Sequence, residues 1–120
     1  MMNRKELLRA IDLHAEWRKR FVKEVSSGRD GEVPSGVAQD DACGFGSWLH
    51  SLPPDDRASQ HWKTVHALHE KFHGDAARVA ALALEGRLSK ATAAISPGGA
   101  FAAGSAELTA AMMAWLSDNP

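Results

Sequence analysis

His69 and His73 stand four residues apart in the stretch HALHEKFH, and this spacing decides which chemistry the stretch can support. On an α-helix, residues i and i+4 lie on the same face, so both imidazoles could bind one metal ion without distorting the helix. The neighbouring Leu68 and Phe72 indicate that this face is turned toward the protein interior. The pair alone is weak evidence for a metal site, because surface helices also carry it by chance.

Two residues elsewhere in the chain have the same chemistry. His14 falls on the apolar stripe of an N-terminal helix, and Cys43, the only cysteine, heads the short apolar segment CGFGSWLH. Three imidazoles and one thiolate match tetrahedral zinc, so we predict that His14, Cys43, His69 and His73 are zinc ligands. The competing interpretation is that the histidines are hydrogen-bonded core residues and that Cys43 is a small buried hydrophobe.

The other histidines and other kinds of site are less well supported. His50 and His61 have no assigned role, and His66, one turn from His69, is a rival ligand that we interpret as flanking. A catalytic zinc keeps one position open for water, and four protein ligands would close it. Cys43 with a histidine could form a nucleophilic dyad, but no pocket or oxyanion hole is indicated. We therefore expect no enzymatic activity; a Cys-His enzyme and an iron- or haem-binding bundle remain the alternatives.

The elements that would position these residues are helical. Apolar periodicity and breaker residues predict an all-α fold, an antiparallel four-helix bundle. A short extra helix carries the cysteine, and the last helix is broken at SPGGA. Residues 1–120 are expected to form one domain, with long helices over 3–26, 56–85 and 101–117, shorter pieces over 43–50 and 88–95, and a loop over 28–42.

Composition narrows the class of protein. A length of 120 residues allows one modest core, and the net charge of −1 favours neither nucleic acid nor an anionic membrane as partner. No apolar run is long enough to cross a bilayer, and the charged N-terminus does not match a signal peptide. A single cysteine fits a reducing compartment, so we expect a cytoplasmic protein.

The three blocks that carry the candidate ligands resemble the chemoreceptor zinc-binding domain family. Its pattern is a histidine with a nearby aromatic residue, then a cysteine segment, then a His-x-x-x-His pair. Here these are HAEW at residues 14–17, CGFGSW at residues 43–48 and HEKFH at residues 69–73. The middle block is the most specific, and the resemblance extends over almost the whole chain.

The resemblance implies a function for the site. It implies a four-helix bundle that holds zinc through His14, Cys43, His69 and His73, in a cytoplasmic regulatory module that is commonly a homodimer. Family members are often fused to chemoreceptor signalling regions or diguanylate cyclase domains, and they sense zinc or, in some cases, hypochlorous acid. No output domain is evident here, so a chemoreceptor or cyclase partner would act in trans or as a missing fused domain. The alternative is a structural zinc bundle that mediates dimerisation only.

Overall fold

The fold is entirely helical in the part of the chain that the structure, a computed structural model, describes, namely residues 4–26 and 44–118. The predicted all-α class is therefore confirmed. The predicted loop over 28–42 and Cys43 lie outside the described residues. The helices are α1 (Arg4–Ser26), α2 (Gly44–Ser51), α3 (Pro54–Arg57), α4 (Gln60–Leu84), α5 (Leu88–Ile95) and α6 (Ala100–Ser117).

Helix α1 follows its predicted bounds closely. Its inward side consists of residues spaced by three, four or seven, as expected for an amphipathic helix, and these are Leu7, Ala10, His14, Phe21 and Val25. At its start, the Arg4 guanidinium donates a hydrogen bond of 2.8 Å to the carbonyl oxygen of Leu116 in the last turn of α6. This bond satisfies one of the carbonyls that a helix end leaves without an internal partner.

The long second helix begins later than predicted. Residues 56–85 were expected to form one helix, but Pro54 starts the separate turn α3 and α4 begins at Gln60. Proline suits the first helical position, since its missing N–H has no intrahelical acceptor there. Ser59 has extended backbone geometry, and its side chain accepts a hydrogen bond from the Trp62 amide. This N-cap fixes the start of α4.

Helix α4 packs along α6, and a glycine allows the two helices to approach closely. A Cβ on Gly104 would lie 2.9 Å from Oδ2 of Asp75 and 3.3 Å from Nζ of Lys71. Asp75 is buried, and its other oxygen accepts a hydrogen bond of 2.7 Å from Arg78. The carboxylate therefore lies between α4 and α6 with a cation on either side.

Two glycines shape the turns that follow α4. Gly86 has a φ of 77°, in the region that favours glycine, and it ends α4 as the sequence predicted. Gly99 lies in the predicted SPGGA interruption, where a Cβ would collide with the carbonyl oxygen of Ala93. No larger residue fits at this position without moving the backbone. The backbone is extended at Ser96 and again at Gly99, so α5 and α6 are separate helices.

The helices of the described segments enclose one hydrophobic core. It contains four phenylalanines that are almost completely buried, together with aliphatic residues from every long helix. The phenylalanines are Phe21, Phe45, Phe72 and Phe101.

Within the described segments, no helix is both long and apolar enough to cross a membrane.

Candidate metal centre

The three candidate histidine ligands meet in the interior of the protein. His14 comes from α1, whereas His69 and His73 come from successive turns of α4. His14 is 4% exposed and both α4 histidines are 0% exposed. One ligand atom from each lies within 4.8 Å of the others. The structure thus brings together three of the four residues that the sequence selected.

The α4 pair already has nearly the spacing of two zinc ligands. Nε2 of His69 and Nε2 of His73 are 3.1 Å apart. Two nitrogens at about 2.0–2.1 Å from one zinc ion, at the tetrahedral angle, are roughly 3.3 Å apart. A small adjustment would let both imidazoles hold the same ion. This geometry follows from the i, i+4 spacing on a straight helix.

Aromatic rings surround the three imidazoles. The His14 ring lies 4.6 Å from Phe72, and the His69 ring lies 5.0 Å from Phe45, measured between centroids. Trp17 lies 4.6 Å from the His73 ring. These rings exclude water from the cluster and fix the orientation of each imidazole.

Burial keeps the His14 and His69 imidazoles neutral, which is the form that binds a metal. Desolvation lowers the pKa of His14 from 6.5 to about 3, with smaller contributions from His73 and Arg18. Desolvation also lowers the pKa of His69 to about 2, assisted by His73, His14, His66 and His50. At neutral pH, His14 and His69 therefore present lone pairs to a metal without first having to lose protons.

The buried Nδ1 of His14 indicates that a cation fits this cluster. Among the described residues, the buried Nδ1 of His14 has no hydrogen-bond partner. A buried polar atom without a partner costs about 1–3 kcal/mol. A metal bound to this nitrogen would supply the missing partner. The other ring N–H of a metal-binding imidazole usually donates to a protein or water oxygen. The donor set and its spacing fit zinc.

Cys43, the fourth predicted ligand, lies outside the described residues. It is bonded to Gly44, the first residue of α2, and Gly44 packs next to Leu13 of α1. The following residue, Phe45, is fully buried, with its ring 5.7 Å from His14 and 5.0 Å from His69. The chain therefore passes beside the histidine cluster immediately after Cys43.

Two polar features near the cluster were not predicted from the sequence. His50 and His66, left unassigned, have rings 5.1 Å apart. Asp75 is buried two residues beyond His73, although the apolar stripe gave no reason to expect a carboxylate inside. Gly104 on α6 lies opposite Asp75 and leaves room for the carboxylate. The sequence alone does not show that these two residues face each other.

A helical fold that brings three buried histidines within 4.8 Å of one another has the features of a helical metal-binding domain. Comparison with known families makes the class specific, because the chemoreceptor zinc-binding domain family matches residues 14–80. The chain belongs to this family, a family of zinc-binding sensor domains rather than enzymes. The predicted family and the predicted zinc cofactor are thereby confirmed. Searches of curated proteins and of solved structures found no match.

Proposed function

We propose that this protein is a zinc-dependent regulatory domain in which His14, Cys43, His69 and His73 hold one zinc ion. The observation that carries the proposal is the buried convergence of three histidines from α1 and α4 within 4.8 Å. His14 is costly to hold in an apolar interior, because its buried Nδ1 has no hydrogen-bond partner among the described residues. Zinc bound to His14 would remove that cost.

The placement of the ligands suggests how occupancy becomes a signal. His14 belongs to α1, two ligands belong to α4, and Cys43 immediately precedes α2. When zinc is bound, these ligands would hold three elements of the fold in one arrangement. The free energy of zinc binding would then stabilise that arrangement over the others. Loss of one ligand would shift the population of arrangements, and a partner that prefers one of them would detect the change.

Cys43 is the ligand that an oxidant would attack. Its thiolate can take an oxygen atom from hypochlorous acid, which forms the sulfenic acid and releases chloride. Sulfur loses two electrons in this step and chlorine gains two, so the reaction is balanced. The histidines lie on the long helices α1 and α4, whereas Cys43 immediately precedes the short helix α2. Two inputs, zinc occupancy and oxidation of Cys43, would then act on the same site.

Metal content tests the proposed site directly. Elemental analysis of the purified protein should find about one zinc ion per chain, and this zinc should be absent from His73→Ala. His61→Ala is the matched control, since His61 also lies on α4 but pairs with Asp118 at 2.6 Å, outside the buried cluster. Helical circular dichroism confirms that each variant folds. A folded wild-type protein that takes up no zinc would refute the proposal.

Replacement of the cysteine separates the two inputs. Cys43→Ser should weaken zinc binding and abolish zinc release by hypochlorous acid, because serine is a poorer ligand and is not oxidised in this way. A chromophoric chelator measures the released zinc. If the variant released zinc on oxidation as the wild type does, Cys43 would not be the oxidant-sensitive ligand.

The arrangement and setting of the domain complete the proposal. We propose that residues 1–120 form one domain, an antiparallel four-helix bundle of α1, α4, α5 and α6, supported by the shared core and by α4 packing on both α5 and α6. It acts in the cytoplasm, where reducing conditions preserve a free thiol. The signal passes to a chemoreceptor or cyclic-di-GMP output, fused or in trans.

Self-association is a separate part of this proposal. We propose a homodimer, to which the alanine-rich outer side of α6 contributes apolar contacts around Met113, a residue that is 51% exposed. Sedimentation velocity should find a dimer that Met113→Lys weakens, since the change puts a charge into an apolar contact. A wild-type protein that sediments as a monomer at high concentration would contradict this part.

A further inference from the structure

A second pair of imidazoles lies beside the buried cluster. His50 of α2 and His66 of α4 have ring centroids 5.1 Å apart and planes at 87°. Within the buried cluster, the His14–His69 rings are 5.3 Å apart at 66°, and the His69–His73 rings are 4.6 Å apart at 78°. The outer pair thus has a centroid spacing within the range of the buried pairs, and its rings are likewise steeply inclined to each other.

Neighbouring residues hold the outer pair in place. Trp62 stacks on His66 with centroids 4.7 Å apart and planes at 11°. The same indole donates a hydrogen bond of 2.9 Å to the carbonyl oxygen of Leu49, which ties α2 to α4 beside His50. A carboxylate oxygen of Glu70 lies 3.2 Å from Nδ1 of His66. A carboxylate in this position orients a metal-binding imidazole and directs Nε2 toward the ion.

The two clusters differ in access to solvent. The side chain of His66 is 25% exposed and that of Glu70 is 57% exposed, whereas His69 is 0% exposed. His66 precedes His69 by three residues on α4, so the two lie on adjacent turns of one face. A buried metal site needs a route by which the ion enters. His66, which is partly exposed, and His69, which is buried, would be successive positions on such a route.

We infer that His50 and His66, with Glu70 beside them, form a second, solvent-accessible zinc site that captures the ion and passes it to the buried histidines. The Glu70 carboxylate attracts the cation, the two imidazoles replace part of its hydration shell, and water completes the coordination. The inference rests on the proposed zinc binding by the buried cluster. It assigns to His50 and His66 a role in the rate of binding rather than in its equilibrium.

This role has a kinetic signature. A residue that only lowers the barrier along the route accelerates uptake and release by the same factor, so the dissociation constant is unchanged. A residue that holds the ion in its final position changes the dissociation constant instead. Uptake rate, release rate and affinity together therefore distinguish the proposed acquisition site from a further ligand of the buried site.

The test compares His50→Gln/His66→Gln with wild type and with His61→Gln. Glutamine retains a polar side chain of similar size that can still donate to Glu70, but it is a poor zinc ligand. Stopped-flow measurements follow zinc uptake by the metal-free chain and zinc release to a chromophoric chelator, and competition titration gives the affinity. In the double variant we expect both rates to fall on the order of tenfold with unchanged affinity. His61→Gln should leave all three quantities unchanged.

Each other outcome overturns the inference. Unchanged rates in the double variant would show that zinc does not pass through this pair. Weakened zinc affinity would show that the pair supports the buried site rather than the route to it. Failure of the proposed function is separately visible, because the wild-type chain itself would then take up no zinc at any rate.

Discussion

Replacing His14 with leucine should stabilise the metal-free protein while abolishing zinc binding. His14 is nearly inaccessible to solvent and lies between Phe45 and Phe72, an environment that suits an apolar side chain of similar volume. Its buried Nδ1, without a hydrogen-bond partner among the described residues, costs about 1–3 kcal/mol. Leucine removes that cost, so the free energy of unfolding of the metal-free variant should rise by about 1–2 kcal/mol at pH 7.

The same substitution should also change the response to acid. Folding lowers the pKa of His14 from 6.5 to about 3, so below 6.5 the unfolded chain binds a proton that the folded chain does not. The titration of His14 therefore leaves the free energy of unfolding unchanged above pH 6.5 and lowers it as the pH falls toward 3. Between pH 7 and pH 5 the wild type should lose about 2 kcal/mol that His14→Leu retains.

Urea unfolding of the chelator-treated proteins, followed by helical circular dichroism at pH 7 and pH 5, measures both effects. His61→Leu is the control, because His61 is partly exposed and paired with Asp118. A His14→Leu variant that is less stable than wild type without metal, or that loses stability with acid to the same extent, would refute the reasoning. Both results would mean that His14 is not a neutral, unsatisfied residue in the folded protein.

Three further predictions follow from other parts of the fold. Gly104→Ala should destabilise the protein by about 1 kcal/mol, because the added Cβ would meet Asp75 at 2.9 Å. Gly74→Ala should instead stabilise α4 by about 0.5–1 kcal/mol, since nothing lies within 4 Å of its added Cβ. Urea unfolding compares the two variants. Trp62→Phe should lower stability by about 1 kcal/mol and increase amide exchange in α2, since it loses the bond to Leu49. Zinc at 100 times its dissociation constant should add about 2.7 kcal/mol to the free energy of unfolding, seen as a calorimetric shift that a chelator reverses.

The helices could be predicted where local signals decide them. The apolar stripe of α1 and the glycine after α4 gave boundaries close to those observed, since both depend on neighbouring residues alone. The start of α4 was placed too early because Asp55 and Asp56 continue a helical pattern after Pro54. The N-cap at Ser59 interrupts this pattern, and capping preferences could have identified it.

The site was predictable to the extent that periodicity places residues on a face. His69 and His73 had to lie together because they share one helix, and their inward orientation followed from Leu68 and Phe72. The nearness of His14 to both depends on how α1 packs on α4, for which only the family resemblance gave an indication. The pairing of His50 with His66 depends on the return of the chain at Pro53 and Pro54, a three-dimensional feature with no signal in either residue's surroundings.

The tryptophans give the protein two internal optical reporters. Trp17 lies 4.6 Å from the ring of His73, and Trp62 stacks on His66 at 4.7 Å. Indole emission responds to the charge and bonding of the group against it, so a metal arriving at either imidazole should alter the fluorescence of its own neighbour. Variants that retain only Trp17 or only Trp62 of the four tryptophans would give each proposed step of zinc uptake its own time course without an added dye.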